Sequence, residues 1–142
     1  MTTIATDGKT VAADTNVTYG SLRSAGNDAK IFKVGSEIIG CSGSSSDCGV
    51  YVDWCKAGRD EDSTPEVTED KFYALHVSKT GVFLVTSGKY LTKVQVNPPF
   101  AIGSGDDFAF GAMWAGLSPR DAVEVVKKYT MCAGGNITEL KV

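Results

Sequence analysis

A chain of 142 residues, 42% hydrophobic and 22% charged, can bury a two-layer core without disulfides or metal, which excludes a disordered, collagen-like or membrane-embedded polypeptide. Its net charge of −3 leaves no basic field to neutralise phosphates, so nucleic acid and anionic membrane surfaces are poor partners. With no charged and apolar leader and no apolar run of spanning length, the default expectation is one domain, 1–142, in the cytoplasm.

Thr2 to Thr6 is β-branched or small and reads as a strand that begins almost at the first residue. Asp7-Gly8 is a hairpin turn, and Thr10 to Ala13 resumes the extended run. Asn16 to Asn27 is a polar loop with short extended pieces around Val17 to Tyr19. Lys30 to Val34 and Glu37 to Cys41 flank Gly35-Ser36 as a second hairpin, which feeds the small-residue turn Ser42-Gly43-Ser44-Ser45-Ser46. Asp47 to Ala57 is predicted as a short helix that buries Val50 and Trp54 with Tyr51 and Cys55, although Gly49 weakens it. Gly58 to Asp70 is an acidic, Pro-containing solvated loop with at most one helical turn after Ser63.

Phe72 to Val77 and Val82 to Thr86 form a third hairpin around Ser78-Lys79-Thr80-Gly81, and Lys89 to Val96 follows as a strand that ends at Pro98-Pro99. Ala101-Ile102 leads into Gly103-Ser104-Gly105, after which Asp106-Asp107 opens a helix through Gly116 with its acids at the positive end. Ser118 as N-cap, Pro119 in the first turn and Asp121 at the third position start a helix predicted to reach about Ala133. Gly134-Gly135 stops it, and Asn136 to Val142 returns as a strand. Hairpins, then helices, then a last strand suit antiparallel sheets with helices outside them, an α+β fold.

The chemistry-bearing side chains are few. Cysteines at 41, 48, 55 and 132 form no C-x-x-C pair and have one histidine to join them, so they read as buried free thiols in a reducing compartment and no metal is called for. His76, in mid-strand, reads as a satisfied sheet histidine rather than a catalytic base. Gly103-Ser104-Gly105 lacks the third glycine of a dinucleotide fingerprint, and no cofactor is assigned. Phe108, Met113 and Trp114 read as core or subunit contact.

The early strand offers another source of chemistry. Removal of Met1 would give Thr2 a hydroxyl nucleophile and a free α-amine whose ordinary pKa of about 7.7–8.0 suits a base near neutrality. Such a site needs a cation near the threonine oxygen, a carboxylate beside that cation, and a backbone donor for the oxyanion. Lys30, Asp14 and Gly43 are the candidates. From residue types alone Asp14 and Lys30 would read as an ordinary ion pair; their register with Thr2 and Gly43 makes them site residues.

T-T-I at 2–4, A-A-D-T at 12–15, Thr18, K-I at 30–31, S-G-S-S-S-D at 42–47 and G-S-G at 103–105 resemble, in order and approximate spacing, the proteasome β-subunit and HslV family. The resemblance runs over nearly the whole chain. It implies an N-terminal nucleophile hydrolase fold, two antiparallel sheets between helical layers, assembled as a ring around an internal chamber. It also implies a threonine endopeptidase acting on peptide or unfolded protein, with an ATPase unfoldase as possible partner. Carried over by position, Thr2 matches the nucleophile, Asp14 and Lys30 the pair that tunes it, Gly43 the oxyanion donor and Ser104 the hydroxyl near the amine. Thr18 matches a position whose backbone pairs with bound peptide, while Val17, Cys41 and Ser45 match the pocket for the residue before the cleaved bond.

The sequence departs from the family in two places. Where the family carries D-x-x-S-G-G after the last long helix, this chain has Thr130-Met131-Cys132-Ala133-Gly134-Gly135. Asp47 to Asp70 is also far shorter than the family's two-helix layer, so one helical layer is shortened. The alternatives are a ring-forming structural or regulatory protein without turnover, and an amidase acting on a small amide.

Overall fold

The computed structural model describes residues 1–67, 71–87 and 90–142. Among them the chain order is β1 (Thr3–Thr6), β2 (Thr10–Asp14), β3 (Thr18–Tyr19), β4 (Leu22–Arg23), β5 (Ile31–Val34), β6 (Glu37–Ser42), α1 (Ser45–Lys56), a 3-10 turn (Glu61–Ser63), β7 (Tyr73–Ser78), β8 (Gly81–Thr86), β9 (Thr92–Val96), β10 (Phe100–Gly103), α2 (Asp106–Trp114), α3 (Pro119–Tyr129) and β11 (Ile137–Lys141).

The first strand is an interior one. β1 pairs with β2 on one edge, Ile4 opposite Ala13, and with β10 on the other, Ile4 opposite Ile102. β11 then adds to β2, giving the antiparallel order β10-β1-β2-β11. A strand hydrogen-bonded on both edges cannot fray alone, so the residues just before it are placed by the whole sheet. The second sheet runs β5-β6-β7-β8-β9, each strand antiparallel to its neighbour, and β3-β4 forms a separate small ribbon.

Period-two alternation decides which residues meet where. Ile4, Val11, Ala13 and Ile102 from the first sheet face Ile31, Ile38, Leu75, Val77 and Val82 from the second, which makes the central core. The opposite face of the first sheet presents Ala5, Ala12 and Ala101 to Ala109, Met113, Ala122, Val123 and Val126 of α2 and α3. Small residues on both sides let these helices lie close to the strands. The outer face of the second sheet presents Ile39, Cys41, Ala74 and Val85, with Phe72 beside them, to Tyr51, Val52 and Cys55 of α1. The architecture is therefore an αββα sandwich with a single helix on one side among the described residues. None of those helices is long and apolar enough to cross a membrane.

Local signals explain most boundaries. Ser44 caps α1 by accepting from the Asp47 N–H at 3.1 Å, and Ser118 caps α3 by accepting from the Asp121 N–H at 3.2 Å. The first hairpin turn is longer than Asp7-Gly8 alone: the Asp7 carboxylate accepts from the N–H groups of Lys9 and Thr10 at 2.9 and 2.8 Å, an Asx turn.

Several boundaries differ from the sequence expectation. Phe100–Gly103 is a full strand, β10, because β1 offers it an edge, whereas only Ala101-Ile102 had suggested an extended lead-in. The last helix stops at Tyr129, since Thr130 turns extended and Thr130 to Ala133 must leave the helix to reach the first sheet. In α1, Val50 faces solvent at 50% exposure, and the buried face is Tyr51, Val52 and Cys55. The acidic loop makes its helical turn at Glu61–Ser63 rather than after Ser63. The ends of two sequence expectations, at 68–70 and at Lys89, lie outside the described residues.

Candidate active site

The carboxylate of Asp14, fully buried at the end of β2, collects the first turn of the chain. Its Oδ1 accepts from the Thr3 N–H at 3.0 Å and from the Lys30 ammonium at 2.9 Å. Its Oδ2 accepts from the N–H of Gly134 at 3.1 Å and of Asn16 at 3.4 Å. Four donors around one carboxylate satisfy its oxygens in a place that water does not reach.

Lys30, which precedes β5, is 7% exposed, and its three ammonium hydrogens have three acceptors. These are Asp14 Oδ1, the Asn16 carbonyl at 2.6 Å and the Met1 carbonyl at 2.7 Å. Burial pushes the Lys30 pKa below the ordinary lysine value, and the charge and hydrogen bond of Asp14 oppose that shift.

Thr2 lies at the sheet end between these groups and β10. Its N–H donates to Ser104 Oγ at 3.3 Å, and the Ser104 hydroxyl donates to the Thr2 carbonyl, also at 3.3 Å. Gly105 N–H adds a further contact to that carbonyl at 3.4 Å. Gly103 makes the approach possible: with φ of +102°, it sits where a Cβ would collide with the Thr2 carbonyl. The terminal ammonium of Met1 donates to Thr18 Oγ1 at 3.2 Å. Burial first and the Lys30 charge second lower its pKa from 8.0, against the opposing effects of Asp14 and Cys132.

Two clefts meet at Thr2. One, of about 630 Å³, is lined by Val17, Thr18, Lys30, Cys41, Ser45 and Cys48, among others. The other, of about 730 Å³, is lined by Tyr73, Leu84, Phe100, Ser104 and Phe110, among others. Thr2, Gly43 and Ser44 border both, so Thr2 and the Gly43 turn stand at the middle of an open groove. Gly43 has φ of +140°, and a Cβ there would lie 3.3 Å from the Phe72 Cα, so the turn is fixed by its backbone conformation.

The structure thus brings Thr2, Asp14, Lys30, Gly43 and Ser104 to one end of the sandwich, and places Val17, Thr18, Cys41 and Ser45 along one cleft. Sequence reasoning missed Thr3, Asn16 and Gly134, which hold the ion pair through backbone groups, and Cys48, Phe100 and Phe110, which line the groove. Gly134 was legible as a helix stop and as part of the Gly-Gly pair in the family pattern, and not as a donor to Asp14. At the departure from the family pattern, the Thr130 hydroxyl donates to the Val126 carbonyl at 2.8 Å and accepts from the Cys132 N–H at 3.0 Å.

No family model matches the chain, and no curated protein matches it in sequence. Solved structures do match in fold. Thiobacillus denitrificans BPH in complex with epoxomicin superposes with a TM-score of 0.72 at 18% identity, over 99% of this chain and 97% of that one. A further structure of T. denitrificans BPH gives 0.64 at 20% identity over 99% and 96% of the two chains. Eukaryotic HslV from Trypanosoma brucei gives 0.65 at 17% identity over 99% of both chains. The chain therefore has the HslV and proteasome type of fold along its whole length.

Proposed function

We propose that residues 1–142 form one domain that hydrolyses peptide bonds through Thr2, once Met1 has been removed. One observation carries this reading: the Thr2 nitrogen lies 3.3 Å from Ser104 Oγ, while the Lys30 ammonium lies 2.7 Å from the carbonyl joined to that nitrogen. Loss of Met1 converts that nitrogen into an α-amine held by Ser104. It also takes away one of the three acceptors of Lys30, and the freed N–H is available to the Thr2 hydroxyl oxygen.

The steps follow from these positions. The amine takes the hydroxyl proton as the oxygen attacks a substrate carbonyl, with Lys30 lowering the energy of the developing alkoxide. The Gly43 N–H donates to the oxyanion, and the amine returns its proton to the departing nitrogen. Water then hydrolyses the acyl ester, again with the amine as base. Asp14 keeps Lys30 charged and touches no substrate.

A groove open on both sides of Thr2 favours a polypeptide laid across it over a small amide. In this reading Val17, Thr18, Cys41 and Ser45 receive the residues before the cut bond. The epoxomicin bound to T. denitrificans BPH supports a peptide-like ligand. Exposed Trp114, Tyr129 and Met131 support assembly of copies into a ring, which an ATPase unfoldase would feed.

A second reading, a ring protein that keeps the fold without turnover, is favoured by Thr130. Its hydroxyl bonds its own helix end, and Ala133 has no polar side-chain atom with which to support Ser104. Intact mass of protein matured in cells, followed by labelling with a peptide epoxyketone, separates the two. The enzyme predicts a mass lacking Met1 and an adduct on residue 2 that Thr2→Ala abolishes. Retained Met1 with no adduct carries the second reading.

A further inference from the structure

β10 is the outermost strand of its sheet: β1 covers one edge, and no described strand pairs with the other. The register decides which backbone groups that open edge carries, because successive residues of a strand send their N–H and C=O to opposite edges. The Thr3 N–H goes to Asp14 at the end of β2 at 3.0 Å, and the Asp7 N–H goes to the Thr10 carbonyl at 3.4 Å. Thr3, Ala5 and Asp7 therefore face β2, while Ile4 and Thr6 face β10 and use the backbone groups of their partners Ile102 and Phe100. The Ala101 N–H and C=O and the Gly103 N–H are left pointing away from the sheet.

That edge forms one wall of the cleft of about 730 Å³. Ala101, Ile102 and Gly103 line it, together with Tyr73 of β7 and Leu84 of β8. Ala101 is 3% exposed, and no described residue hydrogen-bonds its outward N–H or C=O. Backbone groups so withdrawn from water nearly always have partners, and an open strand edge is a template for another strand. The cleft has two distinct ends. One opens at Thr2 and Ser104. Toward the other, Phe100 from the central core and Phe110 from the helix-side core meet around the strand, their rings nearly perpendicular and 5.2 Å apart.

From this arrangement we infer that the open edge of β10 takes up the part of a substrate polypeptide that follows the cut bond, as an added antiparallel strand. The inference rests on the hydrolysis proposed above, which places the cut at Thr2.

Direction and spacing agree with that occupant. A segment leaving Thr2 runs from Gly103 toward Phe100, opposite to β10, so it adds in the antiparallel sense. With the first residue after the cut opposite Gly103, its carbonyl accepts from the Gly103 N–H. The third residue then lies opposite Ala101 and exchanges two hydrogen bonds with it. Residues opposite each other share a face of the sheet. The second side chain therefore lies with Ile102 on the face toward Leu84 and Tyr73, and the third lies with Ala101 on the face toward Phe110. Apolar residues suit both places, and Lys71 and Asp106 are the charged side chains on the cleft wall. A second copy of the chain is the rival occupant. The walls on both sides of the edge favour a single short segment over a strand that brings its own sheet.

The test uses the full chain carrying Thr2→Ala, so that nothing is cut, and an acetylated, fluorescein-labelled peptide of alternating alanine and leucine. Each peptide N–H in turn is methylated, which deletes one donor and leaves the side chains unchanged. Strand addition predicts a period of two: methylation at every second position weakens binding about tenfold, and at the intervening positions by no more than about twofold. Hydrogen exchange at the Ala101 amide, read by fragmentation mass spectrometry, should slow when the peptide binds. Absence of binding, equal losses at all positions, or the same pattern with protection at Thr18 and none at Ala101 would overturn the proposal. Protection of Ala101 that rises with protein concentration and ignores the peptide would give the edge to a second copy, and would overturn it too. Neither readout needs turnover, so the two proposals fail separately. Cleavage by the parent chain without the period of two removes the β10 site alone, whereas the pattern without cleavage removes the hydrolysis and leaves the edge as a peptide-binding site.

Discussion

Among the described residues, two buried polar clusters, one at each sheet, handle charge in different ways. At the groove, Asp14 and Lys30 form an ion pair with both side chains nearly inaccessible, and backbone groups complete their hydrogen bonds. Beneath α1, His76 is 2% exposed between the Tyr51 hydroxyl, 2.7 Å from Nε2, and Glu37 Oε2, 3.2 Å from Nδ1. Glu37 in turn pairs with Arg59. Burial first, then the nearby cations of Lys93 and Arg59, press the His76 pKa down to about 3, so the ring is neutral. Burial raises the Tyr51 pKa, so its hydroxyl keeps its proton and donates to Nε2, which leaves Nδ1–H to donate to Glu37.

The difference shows what a charge inside this fold is for. A neutral Tyr51–His76 hydrogen bond, with Glu37 and Arg59 paired at its outer end, docks α1 on the sheet, and Tyr51 also packs edge-on to Phe72 and His76. The groove keeps a full ion pair despite the desolvation penalty, which a well-packed apolar pair would avoid. The function proposed above, in which Lys30 serves the Thr2 oxygen and Asp14 holds Lys30, would account for keeping that pair, whereas His76 is placed as a packing residue.

Three perturbations test this contrast. The largest effect is expected from Asp14→Ala, which strands the Lys30 ammonium and the N–H groups of Thr3 and Gly134; denaturant unfolding should show a loss of about 3–5 kcal/mol. An unchanged midpoint would mean that the pair is solvated.

Next comes the acid limb of stability. The folded pKa of His76 lies below its unfolded value of about 6.5, so between about pH 6.5 and 3 the unfolded chain binds more protons. Stability contributed by the neutral ring is complete above that window and is lost as the pH falls through it, by about 2–4 kcal/mol. His76→Gln should flatten the unfolding free energy against pH in this range. A slope that persists in the variant would assign it to other groups.

The smallest effect is that of Tyr51→Phe, which removes the donor to Nε2 and leaves the ring nitrogen buried without it, for about 1–3 kcal/mol. Epoxyketone labelling at Thr2 should persist in this variant once it is folded, whereas Asp14→Asn should lose it. Equal labelling of the two would erase the proposed division of labour.

Much of the fold was legible before any contact was known. Asp7-Gly8, Gly35-Ser36 and Ser78-Lys79-Thr80-Gly81 mark hairpins, and the β-branched runs between them became strands. Ser118-Pro119 marked the start of α3 within a residue. Val50 was misplaced because the weakly amphipathic α1, interrupted by Gly49, does not declare its buried face. The short strand β10 escaped because Phe100 to Gly103 is held by pairing with β1, a partner nearly a hundred residues away in sequence. The candidate site was partly legible: residue types at Thr2, Asp14, Lys30, Gly43 and Ser104 carry a signature, but the backbone groups of Thr3, Asn16 and Gly134 around the ion pair do not.

What the amino-acid order settles by itself is the alternation that makes each sheet two-faced, the caps that start the helices, and the chemical kinds of side chain available near Thr2. What needed the folded molecule is their meeting. The Gly134 N–H reaches Asp14 across 120 residues, and the groove exists because two sheets present their ends on either side of the Gly43 turn. Every residue except proline has the same N–H, so a backbone donor becomes specific only through the position that packing gives it.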